Sequence, residues 1–350
     1  MHTAVISDLH LGTRSRIDLL RRPEVRARLV EALRGFDELV LLGDAIELRD
    51  RPLGEALAVA EPFLEEAGAA IGNGRAVLVP GNHDHALARA AAGDRRPRNG
   101  FTRDVTGARG VLPAIRDRLG IPLVVAYPSH SPRPDVWMTH GHYLDGHSSA
   151  PTFECAASEA LGLLRRRPSA LAREVDDYEA VLAPTYALFY AIAQRRRVQR
   201  LADEGKRIVR EVERRLGTRG PDDPDREPAP GGPPPPSLGG ARFGPAPGEL
   251  RRPGILPLRR VLDRLGIEAE HVVFGHTHRT GPVLGDDMGL WVDGSTSLTN
   301  TGSWVYEPAY VGSLGPAGPY WPGTLVGIGD AGPPVVHRLL PDIGAGSAHL

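Results

Sequence analysis

Short apolar runs alternate with longer stretches of helical spacing over the first 140 residues of the chain. The runs are typical of buried strands and cover residues 3–7, 38–42, 76–79, 123–126 and 136–139. Between the first two runs, apolar residues recur every three or four positions, and residues 53–71 form a second such stretch. This alternation of strands and helices predicts a layered α/β fold.

The alternation stops after residue 147. Residues 148–216 contain no strand-like run and predict a helical insert, with breaks near Pro168 and Pro184. Residues 217–253 are rich in Pro and Gly and predict a disordered linker. Strand-like segments return at 271–274, 280–284, 290–293, 305–311, 324–328 and 335–340. We therefore expect a core built from residues 1–147 and 254–340, followed by a flexible tail at 341–350.

Composition narrows the class of protein. The formal net charge is −1, which gives no overall tendency towards nucleic acid or membrane surfaces. Cys155 is the single cysteine, so an intramolecular disulfide and a thiolate metal cluster are both excluded. The chain has neither a secretory signal pattern nor an apolar run of about 18 residues. These features predict a soluble cytoplasmic protein.

Five polar motifs follow directly on predicted strands, where α/β sheets assemble their sites. In chain order they are Asp8-Leu9-His10, Gly43-Asp44, Gly81-Asn82-His83-Asp84, His140-Gly141-His142 and Gly275-His276-Thr277-His278. Their side chains offer carboxylate oxygens, an amide oxygen and imidazole nitrogens, a mixture that suits Mn, Fe, Zn, Ni or Co. Residues two apart in an extended segment point to the same face, so each D-x-H or H-x-H pair reaches one centre. Asp44 is the best candidate for a carboxylate that bridges two ions.

The complete set of motifs resembles the calcineurin-like metallophosphoesterase superfamily. Its pattern of D-x-H, GD, GNHD, GH and GHxH is met over residues 1–147 and 254–340. The resemblance implies a four-layer αββα sandwich with two mixed sheets and two divalent metal ions. Matched position by position, the first metal is held by Asp8, His10, Asp44 and His278, and the second by Asp44, Asn82, His140 and His276. His83 would face the substrate phosphate, and Asp84 would orient His83.

The implied activity is phosphoester hydrolysis, as a phosphodiesterase or a pyrophosphatase. Two ions, with Mn preferred, would clamp the phosphate and activate a bridging hydroxide that attacks phosphorus. His83 would stabilise the developing charge or protonate the leaving oxygen. Asn82 and Arg14 are the further candidates for contact with the substrate, Arg14 because it follows the first motif closely.

Three alternative functions stay open, and the first two depend on the helical insert. Residues 161–216 carry 13 Lys and Arg against 8 Asp and Glu, a balance compatible with a nuclease. The position of the insert also resembles the helical lid of UDP-2,3-diacylglucosamine hydrolases, and its apolar stretch at 183–193 would suit a lipid-precursor pyrophosphatase or peripheral membrane contact. A catalytically silent metal-binding scaffold is the alternative from a different class. The sequence does not indicate an oligomeric state.

Overall fold

Two β-sheets lie at the centre of the protein. The computed structural model describes residues 1–93, 97, 99–106, 110–147, 172–195 and 254–341. One sheet has seven strands: β1 (Thr3–Ile6), β2 (Glu38–Leu41), β3 (Arg75–Leu78), β4 (Phe101–Asp104), β5 (Leu123–Tyr127), β12 (Thr324–Ile328) and β13 (Val335–Arg338). The other has six: β6 (Ser129–Arg133), β7 (Val136–Thr139), β8 (His271–Phe274), β9 (Thr280–Gly281), β10 (Val292–Asp293) and β11 (Thr296–Thr301).

Both sheets are mixed. The first has the strand order β13-β12-β1-β2-β3-β5-β4, in which β1, β2, β3 and β5 are parallel neighbours. The second has the order β10-β11-β8-β7-β6, with β9 paired to β11, and its β7, β8 and β11 are parallel. Parallel neighbours end at the same edge, so the loops after β1, β2 and β3 lie together, as do those after β7 and β8.

Helices cover the outer faces of the two sheets. In chain order they are α1 (Pro23–Leu33), α2 (Leu53–Ile71), α3 (His85–Ala91), α4 (Val111–Leu119), α5 (Val175–Ala193), α6 (Ile255–Leu265), α7 (Met288–Trp291) and α8 (Pro308–Val311). Short 3₁₀ turns span Leu19–Arg21, His142–His147 and Gly312–Ala317. None of the helices in the described part of the chain is long and apolar enough to cross a membrane.

Successive side chains of a strand face opposite sides of its sheet, so each sheet contributes to two separate cores. In β1, Ala4 and Ile6 face a core shared with α1, α2 and α4, whereas Val5 faces the core between the two sheets. A third core lies between the second sheet and α6, with Phe274 and Leu258 among its members. The layers therefore run helix, sheet, sheet, helix, which confirms the predicted four-layer αββα sandwich with two mixed sheets.

Several local predictions differ from the structure. Residues 305–311 do not form the predicted strand, because α8 occupies Pro308–Val311 and Val305 makes only an isolated bridge. The predicted break at Pro184 is also wrong, since α5 continues through it. Strands β4, β6 and β11 were not predicted. Of these, β4 and β6 lie at sheet edges, and β6 contains Pro132, which an edge strand tolerates.

The predicted insert is described only through residues 172–195, which include α5. The rest of the predicted insert and the whole predicted linker at 217–253 lie outside the described residues, as does the predicted tail from residue 342. The domain boundaries at 148, 217 and 254 therefore stay predictions. Within the described part, α5 packs against α3 and against the 3₁₀ turn His142–His147.

Candidate metal centre

The predicted ligands meet where the two sheets present the ends of their parallel strands. Asp8 and His10 follow β1, Asp44 follows β2, and Asn82 and His83 follow β3 of the first sheet. The second sheet contributes three histidines from the loops after β7 and β8, namely His140, His276 and His278. Three groups of their ligand atoms each lie within 4.8 Å: Asp8-His10-His278, His10-Asp44-His83 and Asp44-His140-His276.

The loops that carry the ligands also have an unusual backbone conformation. A non-glycine residue with positive φ is uncommon, and it persists only where the surrounding structure holds it. In the described chain seven such residues occur, and five are predicted metal ligands: Asp8, His10, Asp44, His276 and His278. The loops are tied together, since the backbone N–H of Asp8 donates to the carbonyl of Gly43 at 3.1 Å and that of His10 to the carbonyl of Asp44 at 2.8 Å. The centre is therefore preorganised by its backbone.

Two glycines make room for the ligand side chains. A Cβ atom at Gly81 would lie 2.3 Å from Asp44 Oδ1 and 2.5 Å from the ring of His140. At Gly43, where φ is +81°, a Cβ would lie 2.2 Å from the same imidazole. Both glycines are thus required by the close approach of Asp44 and His140, in addition to the turns that they form.

The first group of ligand atoms has the geometry of a cation site. His10 Nε2 and His278 Nε2 are 3.1 Å apart, and His278 Nε2 is 3.5 Å from Asp8 Oδ1. The Nδ1 atom of each ring faces a carboxylate, Glu47 at 3.2 Å and Glu307 at 3.1 Å, so both Nε2 lone pairs point at the same place. Asp8 Oδ1 is buried and has no hydrogen-bond partner among the described residues. A divalent cation would satisfy all three atoms.

Asp44 links the first group to the third, Asp44-His140-His276. Asp44 Oδ2 lies 3.2 Å from His140 Nε2 and 3.8 Å from His10 Nε2, so one oxygen faces both groups. His140 Nε2 is also 3.2 Å from Asn82 Oδ1. The Nδ1 atom of His140 donates to the carbonyl of Leu42 at 3.0 Å, which directs Nε2 towards the centre. These contacts fit the role of Asp44 as a bridge between two neighbouring ions.

The charges of this buried centre are strongly coupled. Burial raises the pKa of the Asp44 carboxyl, but the facing charges of His140 and His83 outweigh it and hold that pKa well below its usual range. Burial lowers the pKa of His140, but the Asp44 charge raises it to about 10. The pKa of His278 is likewise raised, because contact with Glu307 and the charge of Asp8 outweigh burial. Cations that bind at this centre would therefore compete with protons on its histidines.

Three acidic residues support the ligands, and sequence reasoning missed all of them. Glu47 and Glu307 accept from His10 and His278, and Asp145 Oδ1 lies 2.9 Å from His276 Nε2. Such acceptors fix the orientation of a metal-bound imidazole. Glu47 lies three residues after Asp44 in the same loop, which was the one local signal available. Asp145 and Glu307 reach their histidines only through the fold.

His83 belongs to the group His10-Asp44-His83 and lies at the exposed side of the centre. Its side chain is 24% exposed, and its Nε2 atom lies 4.0 Å from Asp44 Oδ2. Its Nδ1 atom is 2.7 Å from Glu47 Oε2, the oxygen that His10 also contacts. Its Nε2 atom is 3.2 Å from Arg49 Nη1. An arginine only donates, so Nε2 accepts that hydrogen bond and Nδ1–H donates to Glu47.

Asp84 does not make the contact with His83 that the sequence suggested. Its carboxylate accepts from the backbone N–H groups of Gly81 at 2.7 Å, Ala45 at 2.9 Å and Asp44 at 3.3 Å. Burial, followed by the charge of Asp44, raises the pKa of Asp84 to about 6. Asp84 therefore joins the loops after β2 and β3, while Glu47 holds the His83 ring.

Arg14 and His142 are not members of the three groups of ligand atoms. The Arg14 guanidinium donates to the carbonyl of Asp50, and the Arg14 backbone N–H donates to the Asp50 carboxylate. His142 is buried behind His140, with their ring centroids 5.7 Å apart, and its Nε2 atom is 3.1 Å from the Tyr127 hydroxyl. Burial lowers the pKa of His142 well below its ordinary value.

Fold and site together define a metal-dependent hydrolase of the α/β class. The sequence profile described as calcineurin-like phosphoesterase matches residues 1–280, a range that includes every motif from Asp8 to His278. A search of curated proteins found no match to the chain. The chain belongs to the calcineurin-like phosphoesterases, and it is a metal-dependent phosphoesterase.

Proposed function

We propose that the protein binds two divalent ions, with Mn preferred, and hydrolyses phosphodiester or pyrophosphate bonds. The observation that carries the proposal is the position of Asp44 Oδ2, which lies 3.8 Å from His10 Nε2 of one ligand group and 3.2 Å from His140 Nε2 of the other. The mixture of carboxylate, amide and imidazole ligands suits Mn, and also Fe, Zn, Ni or Co. We assign Asp8, His10 and His278 to the first ion, Asn82, His140 and His276 to the second, and Asp44 to both.

When bound, two such ions would neutralise phosphate charge and lower the pKa of a coordinated water. The protein's own contribution begins with orientation. Glu47 holds His10 and His83 through one oxygen, which fixes Nδ1–H on both rings and leaves both Nε2 atoms facing the centre. Asp84 keeps the loops of Asp44 and Asn82 in place through backbone hydrogen bonds. The ligand side chains are therefore already oriented before the substrate binds.

His83 is proposed to meet the substrate. Its Nε2 atom lies on the exposed side of the ligand groups and already accepts a hydrogen bond from Arg49 at 3.2 Å. A phosphate oxygen that replaces this contact would leave Nε2 free to hold a proton for the leaving oxygen. Glu47 would stabilise the charged ring from its opposite edge. Arg14 and Asn82 remain proposed substrate contacts.

A monoanionic diester fits the electrostatics of the centre better than a dianionic monoester. Asp8, Asp44 and Glu47 are all buried here, and their charges offset a large part of the positive charge that two cations bring. We therefore expect a preference for diesters over monoesters. The lipid-precursor alternative is a special case of the same chemistry, in which α5 would lie beside the apolar part of the substrate.

The test is a substrate comparison with Mn-loaded protein. We expect faster hydrolysis of bis(4-nitrophenyl) phosphate than of 4-nitrophenyl phosphate, with a nucleotide pyrophosphate and single-stranded DNA as further arms. A steep fall of activity on DNA with added salt would favour the nuclease alternative. Protein that holds two ions but hydrolyses none of the four would contradict the proposal and favour the silent scaffold.

Substitution of His83 separates binding from turnover. His83→Ala removes the proposed substrate-facing group but none of the proposed ligands, so metal content should stay at two ions per chain. Turnover should fall by about a hundredfold to a thousandfold, the usual cost of losing a group that stabilises the transition state. An active His83→Ala protein would contradict the role proposed for this residue.

A further inference from the structure

Helix α5 is fixed on the core by a buried carboxylate. Glu179 is 0% exposed, and it accepts hydrogen bonds from the hydroxyls of Tyr127 and, at 2.8 Å, Tyr143. His85 Nε2 lies 3.0 Å from its other oxygen. At the far end of the helix, the Gln194 side chain accepts from the backbone N–H of Leu53 at 3.0 Å. Both ends of α5 are thus held against the phosphoesterase core.

The same helix reaches the metal centre through an arginine. The Arg49 guanidinium carbon lies 4.5 Å from the centroid of the Phe189 ring, over its face. The Arg49 Nη1 atom lies 3.2 Å from His83 Nε2, and the Arg49 backbone N–H donates to Glu47 Oε1 at 2.9 Å. A guanidinium over an aromatic face is attracted by the ring quadrupole. Contacts therefore run from Phe189 through Arg49 to His83.

The position of the guanidinium has a consequence for the substrate. Arg49 lies at the Nε2 edge of His83, which is the edge proposed to meet phosphate. An oxyanion arriving at that edge comes within reach of the guanidinium, whose planar fork matches two phosphate oxygens. The aromatic face of Phe189 supports the guanidinium from α5.

We propose that Phe189 is a positioning residue, which holds Arg49 as a phosphate-binding cation beside His83. Helix α5 would then form a fixed wall on the substrate side of the centre. This inference rests on the proposed function, because His83 marks the phosphate position only if the ligand groups bind the catalytic ions. It differs from the sequence prediction, which had selected Arg14.

The test uses inorganic phosphate as the probe, titrated calorimetrically into Mn-loaded protein. Phe189→Leu keeps an apolar side chain but removes the aromatic face. Phe189→Trp keeps an aromatic face, one that attracts a cation more strongly. We expect Phe189→Leu to weaken phosphate binding by about threefold to tenfold, in line with a partly exposed cation–π contact, and Phe189→Trp to retain it. Arg49→Ala should weaken binding further, and adding Phe189→Leu to Arg49→Ala should cause no additional loss.

Controls separate this proposal from the proposed function. Leu188→Ala changes the neighbouring residue, which is 52% exposed, and should bind phosphate like the wild type. Metal content should be the same in every variant. Unchanged phosphate affinity in Phe189→Leu, or full additivity with Arg49→Ala, would overturn the inference even if hydrolysis is normal. Wild-type protein that binds phosphate but hydrolyses no phosphoester would contradict the proposed function alone, and one that binds no phosphate would contradict both.

Discussion

The metal centre and the α5 wall of the same site are built in opposite ways. The centre takes its ligands from loops that follow directly on parallel strands, and five of those ligands have a left-handed backbone. The wall takes one helix from a distant part of the chain and fixes it through Glu179 and Gln194. The comparison indicates that the position of each ligand is set by the backbone of its own loop, whereas the proposed wall depends on side-chain contacts between distant parts of the chain.

The largest effect should come from Asp44, the residue proposed to bridge the two ions. Asp44→Asn keeps the size of the side chain but removes the charge that faces both groups. Hydrolysis should fall by at least about a thousandfold, because loss of metal activation costs several kcal/mol of transition-state stabilisation. Activity on a generic diester and metal content by mass spectrometry are the measurements. Asp117→Asn, on an exposed face of α4, is the control, and equal activity of the two variants would contradict the shared role.

Substitution of Glu179 should destabilise the packing of α5 on the core without changing the metal centre. Glu179→Ala leaves the buried donors of Tyr127, Tyr143 and His85 without their acceptor, which should lower the free energy of unfolding by about 3 kcal/mol or more. Urea unfolding measures this loss, and metal content should remain at two ions per chain. Glu174→Ala changes an exposed acid next to the start of the same helix and should have little effect. A stable Glu179→Ala protein would remove the case for a fixed wall.

The ligands could be predicted from sequence because each follows a strand at a short, readable spacing. The residues that support them could not, since Asp145 and Glu307 lie far along the chain from part of the site that they support. The same limit explains Asp84, whose sequence neighbour is His83 but whose carboxylate binds backbone groups of another loop. Strand β11 has the sequence TSLTNT, with little apolar patterning, and is a strand because of its neighbours β8 and β10.

A smaller effect is expected from substituting the carboxylates that contact the imidazole rings of the proposed ligands. Glu307→Ala removes the partner of His278 Nδ1, so the ring loses its fixed orientation and part of its basicity. Metal affinity at that position should fall by about tenfold to a hundredfold. Competition with a calibrated chelator measures the change, with the exposed Glu268→Ala as the control. An unchanged affinity would show that the backbone alone orients the histidine.

The last prediction concerns pH in the metal-free protein. The pKa of His140 in the folded chain is about 10, above its ordinary value of 6.5, because the Asp44 charge outweighs burial. Protonated His140 therefore stabilises the fold fully below pH 6.5, and this stabilisation is lost as pH rises towards 10. Urea unfolding between pH 6.5 and 10 should show the decline in metal-free wild type, and a weaker decline in His140→Gln. Indifference to pH in the wild type would contradict the coupling of His140 with Asp44.

The central claim is that two neighbouring ions share Asp44, and anomalous diffraction from crystals of Mn-loaded protein tests it most directly. The predicted result is two anomalous peaks, one among Asp8, His10 and His278 and the other among Asn82, His140 and His276, with Asp44 between them. A single peak, or peaks away from Asp44, would contradict the claim.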